Sequence, residues 1–228
     1  MGWLRENVQR HGARVTTVAA TEAQKPRDEL LFAPGPLATL LVVPRLTRVL
    51  RGGVKALRVV DERSMTIPAG YREHLQHLPA VEAALAVHPL PSVPCHNDLL
   101  AENYLDDGER LWIVDYEYSG NGDPTFELGN TCQEQGWDDA RIRELCAAYF
   151  GEATDALIAR MRLQMIMSDV GWTLWAAIQA AISPIDFDFF GWAEERWGRA
   201  QTALDGPDLE DWLAAVRGDT AVVVSEHR

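Results

Sequence analysis

A chain of 228 residues with 47% hydrophobic content suits one globular domain with a buried core, and its formal net charge of -13 sets it against polyanionic partners such as nucleic acid. Its three cysteines form no Cys-x-x-Cys pair and no histidine cluster joins them at zinc spacing, so reduced thiols in a cytoplasmic protein are expected rather than disulfides or structural zinc. The stretch Met1–Arg14 mixes charge with few apolar side chains, unlike a secretory leader, and the longest apolar stretch, Pro36 to Val43, is too short to cross a bilayer, so no membrane association is expected.

Residues 1–56 hold Pro26, Pro34 and Pro36 around one apolar run, Leu37–Val43, and are expected to form a divergent or remnant segment ahead of a main lobe at 57–217, with a tail at 218–228. Gly52-Gly53-Val54-Lys55 reads as a turn followed by a solvated lysine. Pro79 suits the first turn of a helix carrying Val81, Leu85 and Val87. Between Tyr104 and Val114, two short apolar stretches flank Asp106-Asp107-Gly108-Glu109, the signature of a β-hairpin closed at Asp-Gly. Asp138 is placed to cap a helix through Ile142, Leu145, Ala148 and Tyr149 that stops at Phe150-Gly151. A longer helix is expected over 154–182, with Leu157, Met161, Leu163, Met167 and Val170 near helical period. Helices over 189–203 and 208–216 follow, the last opened by Pro207, so the fold class is mainly α (α+β) with a small β element.

The hairpin matters because it returns its two ends to one place. Asn103 precedes one strand and Asp115 follows the other, while Asp98 approaches from the loop before them. Phosphoryl transfer asks a protein chiefly for positioning: a carboxylate facing the acceptor hydroxyl, and hard oxygen ligands for magnesium. That ion commonly takes only one or two ligands from the protein and completes its shell with phosphate and water. Asp98, Asn103 and Asp115 match these needs in that order; the competing explanation is ordinary turn chemistry, in which Asp and Asn are common. A hydrolytic metal site is disfavoured, because histidine ligands and a bridging carboxylate cluster are both lacking.

Trp172 and Trp175 lie three apart on the long helix, and Trp192 follows on the next helix after Ser183-Pro184. Rings so spaced either pack as core or form a box for a quaternary ammonium, at roughly 0.5–2 kcal/mol per well-placed ring. Glu127 and Glu134 would add long-range attraction for a cationic small molecule.

His96-Asn97-Asp98 with Asn103, the run Val114-Asp115-Tyr116-Glu117-Tyr118, and Phe126-Glu127-Leu128-Gly129-Asn130 with Glu134 resemble the choline/ethanolamine kinase branch of the aminoglycoside phosphotransferase superfamily. So do Gly171-Trp172-Thr173-Leu174-Trp175, Ile178-Gln179-Ala180 and Ser183-Pro184-Ile185-Asp186-Phe187. The similarity runs from about Leu57 to Leu204 and corresponds to the helical C-terminal lobe of a protein-kinase-like fold. It implies Asp98 as the catalytic carboxylate, Asn103 and Asp115 as ligands of magnesium and through it of ATP, and His96, Asn97 and Glu117 as supporting groups. It also implies a substrate wall drawn from Glu127, Glu134, Trp137, Trp172, Trp175 and Trp192.

The expected activity is magnesium-dependent transfer of the ATP γ-phosphate to the hydroxyl of a small cationic alcohol of the choline or ethanolamine kind. Two alternatives stand beside it: an aminoglycoside or amino-sugar phosphotransferase, and a catalytically impaired kinase-like lobe that binds a small molecule or a partner. The chain departs from the family ahead of His96, where kinases of this superfamily carry a glycine-bearing phosphate loop and a strand lysine; its only lysines are Lys25 and Lys55, neither in such a context. The N-terminal nucleotide lobe is therefore expected to be truncated or missing, and a second copy or a second chain is the expected cover for the nucleotide side.

Overall fold

The computed structural model describes residues 56–218. Expectations for residues 1–55, including Gly52-Gly53-Val54-Lys55 and the nucleotide side, and for the tail beyond 218 lie outside the described residues. After a helical stretch at 56–62 come α1 (Tyr71–His74) and α2 (Leu78–Val87). Four short strands follow, β1 (Val93–Cys95), β2 (Tyr104–Asp106), β3 (Leu111–Ile113) and β4 (Gly120–Gly122). The rest is helical: α3 (Pro124–Glu134), α4 (Asp139–Phe150), α5 (Asp155–Ile182), α6 (Phe189–Leu204) and α7 (Leu209–Arg217). This is a mainly helical architecture of the protein-kinase-like type with a small β element.

Local chemistry sets the helix ends. The Asp123 carboxylate accepts from Thr125 N at 2.8 Å and Pro124 occupies the first turn, which starts α3. Asp138 accepts from Arg141 N at 3.0 Å at the start of α4, and Gly151, at φ 83°, closes it. Thr154 caps α5 through Leu157 N, and Asp188 caps α6 through Gly191 N. The boundaries expected from the sequence for α4, α5, α6 and α7 are each met within a residue or so.

The 28-residue α5 is the axis of the fold, buried around most of its circumference, and it packs against α3, α6 and α7. By length and composition alone it is apolar enough to cross a membrane; here most of those side chains are buried inside the fold. Two cores form along it. The larger gathers Val81 and Leu85 of α2, Leu163, Met167 and Leu174 of α5, and Trp197 and Leu213 of the last two helices. The smaller places Leu128, Cys132, Ile142, Cys146, Leu157 and Met161 between α3, α4 and the first half of α5. All three cysteines are buried and unpaired with one another.

At one point α3 and α5 meet backbone to backbone. A Cβ added at Gly129 would lie 2.8 Å from the carbonyl oxygen of Met161, a distance side chains do not tolerate. Polar groups lock the same interface, with Asp169 of α5 bonded to Gln133 of α3 and to Arg199 Nη2 of α6 at 2.7 Å. Arg196 completes the network by donating to Glu134 at 2.6 Å and to Asp169 at 3.4 Å. Buried Arg160 reaches Leu85 O at 2.9 Å and stands 3.6 Å from the Asp123 carboxylate, tying α2 to the start of α3.

The strands form two separate antiparallel ribbons. β1 pairs with β4 in the register Val93↔Gly122 to Cys95↔Gly120, and β2 pairs with β3 from Tyr104↔Ile113 to Asp106↔Leu111. The second is the expected hairpin. Its turn is held by Asp106 accepting from Gly108 N and Asp107 accepting from Glu109 N and Arg110 N, with Gly108 at φ 89°.

One surface joint titrates. His74 Nδ1 lies 2.8 Å from Gly70 O, and Nε2 lies 3.0 and 3.1 Å from the two Asp205 oxygens. Both ring nitrogens face acceptors, so only the imidazolium satisfies both; the Asp205 carboxylate first, then the Gly70 carbonyl, hold the ring's pKa above the ordinary histidine value. The resulting stability is fully present below the unfolded pKa of about 6.5 and disappears as pH rises through the higher folded value. Thermal melts of wild type and His74→Gln should differ most on the acid side of that window and converge at alkaline pH. A difference that widens with rising pH would contradict the doubly bonded imidazolium.

Candidate active site

The loop after β1 is shaped by a carboxylate from below. Glu127, on the first turns of α3, accepts from the backbone N–H of His96 and of Asn97, each at 2.8 Å. Asn97 sits at φ 68°, in the left-handed region where Asn and Asp are the least disfavoured of non-glycine residues. Its side-chain Nδ2 donates to Tyr118 O at 2.8 Å. His96 Nε2 lies 2.8 Å from Val114 O, while its Nδ1 faces the backbone N–H of Asp98 at 3.3 Å. One nitrogen must donate and the other accept, which fixes a neutral ring with its proton on Nε2.

These bonds bring the expected triplet together. Asn103 Nδ2 donates to Asp98 O at 2.7 Å and lies 3.4 Å from Asp98 Oδ2. The peptide of Val114 is gripped on both sides, its N–H by Asn103 O at 3.0 Å and its carbonyl by His96. The next residue, Asp115, then turns sharply at φ 68° and stands exposed at the head of a short 3₁₀ turn, Tyr116–Tyr118. Asp98 and Asn103 are buried beside it. Burial pushes the Asp98 carboxyl up to about 7, the charges of Glu134, Asp115 and Glu117 add to that, and the Asn103 amide opposes it. A carboxylate so destabilised by its neighbours is one that a bound cation would return to its charged form.

The donor set suits magnesium. The Asn103 nitrogen is bonded to Asp98, which leaves its amide oxygen as the ligand atom, and the exposed Asp115 supplies a carboxylate close by. Among the described residues no group of three His, Cys, Asp or Glu side chains converges on a metal position.

An aromatic wall adjoins this loop. Trp172 meets Tyr118 at 5.5 Å and Trp175 at 5.5 Å between ring centroids, and Trp175 meets Trp192 at 6.0 Å and Phe189 at 5.9 Å, all near edge-to-face. Burial raises the pKa of the Tyr118 hydroxyl, and the neighbouring Trp175 indole opposes the rise. The Arg196 guanidinium stacks 3.7 Å above the Trp192 ring centroid, so the protein's own cation covers one face of that ring.

Of the carboxylates expected on the substrate side, Glu127 has both oxygens on the loop amides and Glu134 is bonded to Arg196. Trp137, partly buried, packs against the smaller core with Leu128 and Ile142. Glu117 is exposed on the turn after Asp115, and its charge acts on Asp98. Tyr118, Asn130 and Arg196 join the site without having been singled out as site residues from sequence. The spacing of Trp192 and Arg196, one helical turn apart, is the signal that could have found the last.

Glu127→Ala removes two charge-assisted hydrogen bonds and leaves two inward N–H groups without their acceptor. We expect urea unfolding to report a loss of about 2–4 kcal/mol, against the ~1 kcal/mol typical of an average substitution. A loss within the noise of a surface change would mean that the carboxylate does not hold the loop.

Comparison with known proteins agrees with this geometry. The sequence matches the phosphotransferase enzyme family over residues 43–163. It is 29% identical over 180 residues to ethanolamine kinase 2 of Mus musculus, an alignment covering 70% of this chain and 43% of that protein. It is 33% identical over 93 residues to Protein LicA of Haemophilus influenzae, covering 38% of this chain and 35% of that one. The structure superposes with TM-score 0.67 and 38% identity on the choline/ethanolamine kinase family protein from Mesorhizobium loti, over 81% of this chain and 58% of that one. The chain thus spans less than half the length of these two curated relatives. With the family match extending over more than half of the sequence, and with the loop and metal-side residues folded onto one another, the chain belongs to the phosphotransferase enzyme family.

Proposed function

We propose that the lobe at 57–217 carries the acceptor and metal side of an ATP-dependent phosphotransferase acting on a small cationic alcohol of the choline or ethanolamine kind. The observation that carries this reading is the hydrogen-bonded pair Asp98 and Asn103, with Asp115 delivered beside it by the doubly gripped Val114 peptide. Asp98 faces the acceptor hydroxyl, orients it and takes its proton as the new oxygen–phosphorus bond forms and the bond from the γ-phosphorus to the departing ADP breaks. Magnesium held by Asn103 and Asp115 would neutralise charge on the phosphates of ATP.

The neutral His96, with a fixed proton on Nε2, keeps the loop and the Asp115 turn in register rather than carrying a proton itself. The buried environment of Asp98 keeps water from competing for its carboxylate. The acceptor's ammonium group would meet ring faces in the wall of Trp172 and Trp175. Glu134 is bonded to the Arg196 guanidinium, so aromatic faces rather than an unpaired carboxylate supply the local attraction. The names of the relatives, ethanolamine kinase and choline/ethanolamine kinase family protein, support this choice of acceptor over an aminoglycoside or amino sugar.

The test is turnover of choline, ethanolamine and a panel of aminoglycosides with ATP and magnesium, alongside calorimetric titration of each. Asp98→Asn should lower kcat by roughly 10²–10⁴-fold while leaving acceptor binding in place. Asn103→Ala and Asp115→Ala should each raise the magnesium concentration needed for half-maximal rate. Acceptor binding with no phosphate transfer under any condition would make the chain a binding lobe instead. Turnover restricted to aminoglycosides would move the acceptor class.

A further inference from the structure

Asn130, on α3 and without solvent exposure, uses the two ends of its carboxamide on the two halves of the site. Its Oδ1 accepts from the indole Nε1 of Trp172 at 3.2 Å and from Ser168 Oγ at 2.6 Å. Its Nδ2 donates to the backbone oxygen of Asn97 at 3.5 Å. Two donors on one end and a carbonyl on the other dictate which end is oxygen. A hydrogen-bonded path therefore runs from the ring wall, through one side chain, to the peptide that joins Asn97 to Asp98.

That peptide follows a residue held against its conformational preference. A non-glycine residue at positive φ costs on the order of 1 kcal/mol or more and persists only where its surroundings over-determine it. At Asn97 the surroundings are the Glu127 carboxylate on the N–H, the Tyr118 carbonyl on the side chain, and Asn130 on the carbonyl. The first two hold the approach to the turn; Asn130 holds the side from which Asp98 emerges. Its bond to Asn97 is also the longest in the path, at the outer limit for an N–H···O bond, and so is the joint with slack.

We propose that Asn130 is a positioning residue that couples occupancy of the acceptor wall to the placement of Asp98. This rests on Trp172 forming part of that wall. An acceptor seated against Trp172 fixes the indole; the indole N–H fixes the Asn130 carboxamide; the carboxamide draws the Asn97 carbonyl in and so holds the turn that aims Asp98. The reacting carboxylate is then fully set only when there is a hydroxyl to receive phosphate. A group so coupled restrains transfer to water when the acceptor is absent.

The decisive measurement is amide hydrogen exchange at Asn97 and Asp98 in the full chain. Trp172→Phe keeps an aromatic ring while removing the indole N–H together with part of the ring system, and it should speed exchange at both amides by roughly fivefold, the equivalent of one neutral hydrogen bond. Trp197→Phe removes a comparable indole bond, to Ala69 O at 2.8 Å, from a buried core position with no path to the loop, and should leave those amides at the wild-type rate. Asn130→Ala should match Trp172→Phe, and the double variant should be no faster than either.

Equal exchange in the two tryptophan variants, or additive effects in the double variant, would overturn the coupling. If Asn130→Ala does not fold, the tryptophan pair still decides. In turnover, Asn130→Ala should act on kcat with little change in KM for choline, whereas a purely structural loosening of the wall would raise KM. Failure of choline to bind the wild type would count against the acceptor assignment alone, because the exchange comparison uses no ligand.

Discussion

Two consecutive backbone N–H groups converge on the carboxylate of Glu127, and most of the site's geometry descends from that contact. In this loop, which reverses through positive φ, the amides of His96 and Asn97 are held by a side chain and not by a strand or helix ladder. Placing an ionised acceptor beneath them replaces the missing ladder and makes the turn a property of α3. The position of α3 is in turn a property of α5, through the backbone contact at Gly129 and the Asp169 network. The reactive groups thus ride on a rigid helix pair and not on the loop in which they are written. Such a frame would leave the proposed reaction little to reorganise beyond the final placement of Asp98.

The same frame explains an acidic site that does not fly apart. Asp98, Asp115, Glu117, Glu127 and Glu134 are all acidic, and burial, reinforced by the charges of Glu134, Asp115 and Glu117, raises the Asp98 carboxyl. Hydrogen bonding holds Glu127 on neutral amides, Glu134 on Arg196 and Asp98 beside the Asn103 amide. Negative charge gathers on the side of Asp98, Asp115 and Glu117. That is the side on which a divalent cation would offset it.

Much of the fold was legible in the sequence because its signals are local. Asp138, Gly151 and Thr154 mark helix ends by chemistry confined to three or four residues, and the Asp-Gly turn marks the hairpin in the same way. The spacing of Asp98, Asn103 and Asp115 was legible for a similar reason, since a hairpin of known length fixes which residues its ends bring together. What could not be read was contact at a distance. Glu127 lies about thirty positions from the amides it holds, so sequence alone placed it with the substrate.

Trp137 looks like Trp172 in a sequence, but the turn after α3 directs it into the smaller core. Left-handed φ at Asn97 and Asp115 leaves no mark beyond a residue type that ordinary turns share. The arginine over Trp192 changes that ring's meaning from an open face to a partly filled one, and only the packing of α6 against α3 and α5 reveals it.

The contact at Gly129 has a consequence for how this protein tolerates variation. A methyl group there would wedge α3 away from α5 and tilt Glu127 with it, without touching any atom that meets a substrate. If the proposed transfer holds, a survey of inactivating substitutions would rank this glycine beside the candidate acidic residues, although it carries no functional group. Its intolerance would measure how closely two helix backbones must run for a distant loop to keep its shape.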